Sequence, residues 1–147
     1  MSLLQKGVAI AAGRMPKIIN PSIHAVLDYA VAGAFFMMGA SFWRRNKKAA
    51  LSSFLCGGAT AANALLTDYP GGVRPLMSFK SHGRVDAGLA GLTAAMPKFM
   101  NFEDDVEARA FGAQAVVETA VTAMTNFDYY EEYGSDRLRH REEEGAA

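Results

Sequence analysis

Four long apolar stretches, separated by short polar turns, dominate the pattern of hydrophobic and polar positions along the chain. They run from about 22 to 43, 49 to 67, 81 to 96 and 105 to 127. Each is long enough for a helix, and the Asp-Tyr-Pro-Gly-Gly sequence at 68–72 is a strong turn signal between the second and the third. Strict alternation is rare and clusters of β-branched residues are absent, so we predict four helices and no strands.

The second half of this pattern repeats the first at an offset of 58 residues. The motif H-x3-D-x4-G occurs twice, so that His24 and Asp28 match His82 and Asp86. The chain contains only three histidines, and self-similarity at a fixed period indicates a tandem duplication. We therefore predict an all-α fold, a four-helix bundle made of two tandem helical hairpins at 20–78 and 79–127.

Two flanking segments differ in composition from the hairpins. Residues 1–19 mix aliphatic side chains with Lys6, Arg14 and Lys17, which is typical of an amphipathic helix lying on a surface. Residues 128–147 are charged and contain three consecutive glutamates close to their end. We expect this second segment to be a mobile tail.

The apolar stretches are close to the length of membrane-spanning helices, which need roughly 17–25 mainly apolar residues. The second stretch carries no charge, and the first carries only Asp28. The third has a short uncharged part between Asp86 and Lys98, and the fourth carries Glu118 near its middle. One such charge costs about 2.5–3.5 kcal/mol on insertion, so the late helices insert only together with the early ones.

Three further patterns favour a membrane. Small residues recur every four positions, as at Gly83, Ala87 and Gly91, a spacing that lets membrane helices approach closely. Aromatic residues collect at helix ends and resemble an interfacial belt. Polar residues form one stripe per hairpin: Cys56, Thr60, Asn63 and Thr67 in the first, and Gln114, Glu118 and Thr125 in the second. A membrane bundle turns such a stripe inward, and a soluble bundle turns it outward.

Charge and composition narrow the cellular setting. The formal net charge is +0, which gives no reason to expect nucleic acid as a partner. Cys56 is the only cysteine, so an intramolecular disulfide is excluded. With four spans, more basic residues lie on the side of the termini than on the other, which predicts cytoplasmic termini in a bacterial inner membrane. The expected partners are the lipid bilayer and a homo-oligomer or larger membrane complex.

The hairpin repeat, the Leu-Thr-Asp-Tyr-Pro turn at 66–70 and the H-x3-D start of each unit resemble small bacterial membrane proteins of the SPW-repeat type. The resemblance covers roughly residues 23 to 127. Of the Ser-Pro-Trp signature itself, only Pro97 is present. The resemblance implies a helical membrane fold and no particular chemistry.

The two His-Asp pairs are the sharpest candidates for chemistry. A spacing of four places His24 near Asp28, and His82 near Asp86, on one helical face. The simplest interpretation is structural, with each imidazole and carboxylate satisfying the other. Alternatively, His24 and His82 hold a haem or metal across a pseudo-twofold axis, each oriented by its aspartate, or the carboxylates relay protons or bind a cation with Glu118 deeper in the bundle.

A third alternative makes His24 or His82 the general base of an enzyme, but no catalytic residue set in the sequence supports it. The sequence has no nucleophile motif or phosphate-binding loop, and it supplies no third and fourth metal ligands beyond the two histidines. We therefore expect a non-enzymatic, structural or accessory integral membrane protein without a cofactor. A haem, metal, proton or cation-handling membrane protein using the His-Asp pairs is the first alternative, and a soluble helical interaction protein is the second.

Overall fold

The protein is all-α in the computed structural model, which describes residues 15–133. Most of the predicted amphipathic segment and most of the predicted tail lie outside the described residues. Four long helices and one short helix follow one another along the chain: α1 Pro21–Phe42, α2 Lys47–Leu65, α3 Phe79–Phe99, α4 Ala108–Met124 and α5 Tyr129–Tyr133. The four long helices confirm the predicted helical class, while α5 occupies the start of the expected tail.

Side-chain caps begin three of the long helices. Asn20 Oδ1 accepts a hydrogen bond from the Ile23 N–H at 2.9 Å, and Asn46 Oδ1 accepts one from Ala49 at 3.0 Å. Ser78 Oγ caps α3 by accepting from the Ser81 N–H at 3.2 Å. Because such a cap satisfies a backbone donor that has no partner within the helix, α3 begins at Phe79, two residues before its predicted start.

The prediction that strands are absent is wrong in one detail. Thr67–Asp68 (β1) and Met77–Ser78 (β2) form a two-residue parallel pair, with Thr67 opposite Met77. A single parallel bridge joins Ile19 to Thr125. These two residues correspond to Met77 and Thr67 at the offset of 58, so the bridge repeats the pairing of β1 with β2. Pairings this short contain too few residues for alternation to reveal them in the sequence.

The helices associate as two antiparallel hairpins. α1 packs mainly on α2, and α3 mainly on α4, while the hairpins meet chiefly through α2 and α3. Glycines let α1 and α2 approach closely, since a Cβ added at Gly57 would lie 2.9 Å from the Phe35 Cβ. An apolar cluster fills the end near the α1–α2 connection, and its most deeply buried members are Phe35, Ala49, Ala50 and Phe111.

The polar stripes face the interior. Cys56, Thr60, Asn63 and Thr67 are buried, and so are Glu118 and Thr125, while Gln114 is half-buried. Large apolar residues on the same helices face outward, and the most exposed include Val26, Met37, Leu51, Leu55 and Val116. By length and composition, α1 is the one described helix that meets the criterion for crossing a membrane, with 22 residues and a mean hydropathy of 1.5.

Candidate metal centre

Four buried side chains from the starts of α1 and α3 converge on one point. His24 and His82 are 0% exposed, Asp28 is 6% exposed and Asp86 is 9% exposed. We call these four residues the tetrad. Each aspartate follows its histidine by one helical turn, as the spacing of four predicts, and the packing of the two hairpins brings the two pairs together.

The histidine Nε2 atoms and the carboxylate oxygens share one small volume. The two Nε2 atoms lie 3.0 Å apart. His24 Nε2 is 3.2 Å from Asp28 Oδ1 and 3.0 Å from Asp86 Oδ2. His82 Nε2 is 3.2 Å from Asp28 Oδ2 and 2.9 Å from Asp86 Oδ2. One ligand atom from each of the four residues lies within 4.8 Å of all the others.

These separations are those of hydrogen bonds between the histidines and the aspartates, as the structural interpretation expects, and they also fit atoms bound to one metal ion. Ligands held at about 2.0–2.2 Å from an ion lie roughly 2.8–3.6 Å apart, whether their angles at the ion are right angles or tetrahedral. Each histidine contact within the tetrad falls in that range. Two imidazole nitrogens and two carboxylates are also a donor set that first-row divalent metals accept.

Two threonines fix which nitrogen of each histidine carries the hydrogen. Thr67 Oγ1 donates its one hydrogen to the Asn63 carbonyl at 2.6 Å, so it accepts from His82 Nδ1 at 2.7 Å. Thr125 Oγ1 donates to the Val121 carbonyl at 2.7 Å and accepts from His24 Nδ1 at 2.7 Å. In the neutral imidazoles both Nε2 lone pairs therefore point into the tetrad, which is the tautomer that metal ligation needs.

Each carboxylate has a different outer partner. The Tyr69 hydroxyl donates to Asp28 Oδ2 at 2.7 Å, and the Asn63 amide donates to Asp86 Oδ1 at 2.8 Å. Burial and the adjacent Asp28 carboxylate raise the pKa of Tyr69, which keeps this hydroxyl protonated as a donor. These bonds orient the carboxylates in the way that outer partners orient metal ligands.

The two negative charges of the tetrad can be balanced by two protons on the histidines or by one divalent cation. With neutral imidazoles, the two carboxylates place two negative charges in a buried site, which is costly without compensation. If both histidines were protonated at Nε2 instead, the two carboxylates would balance their charge and accept their hydrogen bonds, but the two charged donors would lie 3.0 Å apart. One divalent ion cancels the charge and uses every converging lone pair.

Aromatic side chains cover the tetrad on the side of the chain connections. Phe79 lies 5.4 Å from the His24 ring and 5.9 Å from the His82 ring, between ring centroids. Phe127 and Tyr69 flank the same rings at 5.3 Å. A Cβ added at Gly83 would lie 2.7 Å from the Phe127 ring. The absence of a side chain at Gly83 therefore lets Phe127 pack closely against α3 at this end of the site.

Glu118 on α4 lies outside the tetrad and borders the same small cavity as its two carboxylates. It is buried, and Thr93 Oγ1 donates to its Oε1 at 3.3 Å. Together with Asp28 and Asp86 it lines a small cavity. In the structure its hydrogen-bond partner is Thr93, and Arg84 is exposed.

The sequence placed Asn63, Thr67 and Thr125 in the polar stripes, but it did not link them or Tyr69 to the His-Asp pairs. Thr67 and Thr125 could have been linked to the His-Asp pairs from the sequence, because these threonines are separated by the same 58 residues as the two histidines and the two aspartates. Asn63 and Tyr69 do not repeat at this offset, since Val121 and Phe127 occupy the corresponding positions of the second hairpin. The acidic run at 103–105 is exposed and lies outside the tetrad. No family of known proteins, no curated protein and no solved structure matches the chain.

Proposed function

We propose that this chain is a small helical integral membrane protein that binds one divalent first-row transition-metal ion in the tetrad. The convergence of two histidine Nε2 atoms with two aspartate carboxylates, all buried, is the observation that carries the proposal. Zn²⁺ and Fe²⁺ suit this mixed nitrogen and oxygen donor set. The ion would join α1 to α3 and hence one hairpin to the other.

The geometry favours a bare ion over haem. Axial histidines on opposite faces of a haem iron would place their nitrogens about 4 Å apart with the macrocycle between them. The Nε2 atoms of His24 and His82 are instead 3.0 Å apart, with carboxylate oxygens alongside. This proposal therefore departs from the sequence-based expectation of no cofactor and narrows the haem-or-metal alternative to a metal ion.

The placement of charge supports a membrane setting. Asp28 is the only charged residue of α1, and α2 has none after Lys48. In α3, Asp86 is the only charged residue between Arg84 and Lys98. In α4, Glu118 is the only charged residue after Arg109. All three carboxylates are buried, so the outward surface of the central helical turns is uncharged. Ionisable groups in membrane helices face the bundle interior in this way.

The length of α3 sets a limit on how the chain fits the bilayer. In α3, residues 85–97 contain no charged residue other than Asp86. At 1.5 Å per residue this run is only about 20 Å long, whereas the hydrocarbon core of a bilayer is about 30 Å thick. Arg84 and Lys98 are exposed at its two ends. Their long side chains can extend to the interface while their stems cover apolar surface, which makes a span of this length workable.

The same arrangement supports a bundle formed by duplication. Asn20 and Ser78, both helix caps, are offset by 58, and so are the paired residues of the two short strand pairings. Each histidine also has a threonine partner at the same offset. These relations support a pseudo-twofold axis that passes through the tetrad. The SPW-type resemblance, the bacterial inner membrane with cytoplasmic termini, and a homo-oligomer or larger membrane complex remain parts of the proposal.

Metal content of the purified full-length protein tests the site. We expect about one equivalent of Zn²⁺ or Fe²⁺ per chain after desalting, measured by inductively coupled plasma mass spectrometry. His82→Ala and Asp86→Asn should each lose it, while His140→Ala, which removes the third histidine, should keep it. A wild-type protein that binds less than a tenth of an equivalent at saturating metal contradicts the site.

Membrane fractionation tests the setting independently. The proposal requires the protein to stay in the membrane pellet through a carbonate wash and to be released only by detergent. Monodisperse protein without detergent contradicts the membrane setting and supports the alternative of a soluble helical interaction protein. That result leaves the metal measurement valid in its own right.

A further inference from the structure

The tetrad has one side on which a small cavity, and not a protein side chain, lies next to the carboxylates. The cavity has a volume of about 20 Å³, and a space of this size holds one water molecule. Its polar lining comes from Asp28 and Asp86 of the tetrad and from Thr60, Thr122 and Glu118 beyond it. A ligand in this cavity would touch both the metal ligands and Glu118.

Glu118 has an unmet requirement for a hydrogen-bond donor. The residue is 8% exposed, and its Oε2 atom is buried without a hydrogen-bond partner. Its other oxygen accepts from Thr93 at 3.3 Å. A buried carboxylate oxygen without a donor is costly, and such groups in folded proteins are generally paired with protein or water. The adjoining cavity is where a donor would fit.

Six of the eight lining residues correspond in pairs at the offset of 58, while Val121 and Thr122 have no counterpart in the lining. Val31 and Leu89 correspond at the offset of 58, as do Asp28 and Asp86, whereas Glu118 corresponds to Thr60. If the site only held the two hairpins together, a threonine at both of these positions would serve as well as Thr60 with Glu118. The carboxylate makes one face of the site chemically different from the other.

We propose that one water molecule occupies this cavity in the metal-bound protein as an exchangeable ligand of the ion, and that it donates a hydrogen bond to Glu118 Oε2. Glu118 is then a positioning residue for the solvent ligand. The inference rests on the metal site proposed above. It makes that site an open one, of the kind that binds water, hydroxide or another donor of one heavy atom, and not a closed structural site.

Pulsed electron paramagnetic resonance of the Mn²⁺-loaded, detergent-solubilised full chain in D₂O tests this inference, because deuterium coupling reports water bound to the ion. We expect about one exchangeable water per Mn²⁺ in the wild type. Glu118→Leu should lose this signal while still binding one Mn²⁺ per chain. Val117→Leu, a neighbouring change on the outward face of α4, should leave the signal unchanged.

A second variant guards against misfolding of Glu118→Leu. Thr122→Leu fills the cavity from the same helix without altering charge, and it should also abolish the deuterium coupling. The inference is overturned if the wild type binds Mn²⁺ but shows no metal-bound water, or if both cavity variants keep the wild-type signal. A chain that binds neither Mn²⁺ nor Zn²⁺ overturns the metal site itself, so the two failures are distinguishable.

Discussion

Thr67 and Thr125 show how a single hydroxyl determines what a histidine can do. Each hydroxyl uses its hydrogen on a backbone carbonyl four residues earlier and therefore acts only as an acceptor toward a histidine Nδ1. The acceptor fixes the ring orientation and directs Nε2 into the tetrad. Residues of this kind are small and chemically ordinary, and their effect on metal binding is indirect.

Replacing one threonine should weaken metal binding without removing a ligand. We expect Thr125→Val to raise the dissociation constant for Zn²⁺ by about 10–100-fold, the usual effect of losing an outer partner of a ligating histidine. Thr125→Ser keeps the hydroxyl and should bind nearly as the wild type does. Competition with a chromophoric chelator measures both, and equal affinities of the Val and Ser variants would contradict the assigned role.

Tyr69 should contribute to stability through the Asp28 carboxylate. Tyr69→Phe leaves a buried carboxylate without its 2.7 Å donor, and we expect it to lower the free energy of unfolding by about 1–3 kcal/mol. Tyr29→Phe is the matched control, because the Tyr29 hydroxyl donates to the Gly71 carbonyl at a more exposed position. Denaturant unfolding should show a clearly smaller loss for this control, and equal losses would count against the special role of Tyr69.

At the scale of the element, the contact between α1 and α2 depends on the absence of side chains. Gly57 faces Phe35 across the contact, whereas Gly58 has no atom within 4 Å of its added Cβ. The two glycines are neighbours on the same helix, so they share its propensity, but Gly57 is buried and Gly58 is exposed. They differ in what they face.

This pair provides an internally controlled test of helix packing. Gly57→Ala should be destabilising by about 1–3 kcal/mol, because the new methyl group would overlap the Phe35 side chain. Gly58→Ala should be neutral or stabilising by up to about 1 kcal/mol, since alanine favours a helix over glycine. Thermal unfolding followed by circular dichroism measures both, and a Gly57→Ala variant as stable as Gly58→Ala would refute the close contact.

The elements also show what the sequence can and cannot predict. All four long helices lie within a few residues of their predicted bounds, because length, turn signals and caps are local. α4 begins at Ala108 and not near 105, since the backbone at 105–107 forms hydrogen-bonded turns first. The pairing of His24 with Asp28 is local and was predicted. The 2.9–3.2 Å convergence of both pairs depends on how two hairpins pack, which no periodicity encodes.

At the scale of the whole molecule, the metal ion would hold two hairpins that otherwise meet along limited surfaces. α1 and α4 have few contacts with each other, so most of the direct contact between hairpins comes from α2 and α3. An ion bound by α1 and α3 adds a link between hairpins near one end of the molecule. The stability of the whole chain should therefore depend on free metal.

Metal removal should lower the melting temperature in a way that requires the tetrad. At a free Zn²⁺ concentration about 100 times the dissociation constant, binding stabilises the folded state by about 2.7 kcal/mol. We expect chelation to remove this increment from the wild type and from His140→Ala, and to have no effect on His82→Ala. Differential scanning calorimetry with and without chelator measures it, and a wild-type melting temperature indifferent to chelator would argue against the link.

The exchange of partners between hairpins has a consequence for how the chain could be divided. His24 lies in the first hairpin and takes its threonine from the second, while His82 lies in the second and takes its threonine from the first. Neither hairpin can orient its own histidine. If the chain were cut in the 69–76 loop and the halves were produced together, each half would need the other in order to orient its histidine. Metal would then bind only to the complex of the two halves.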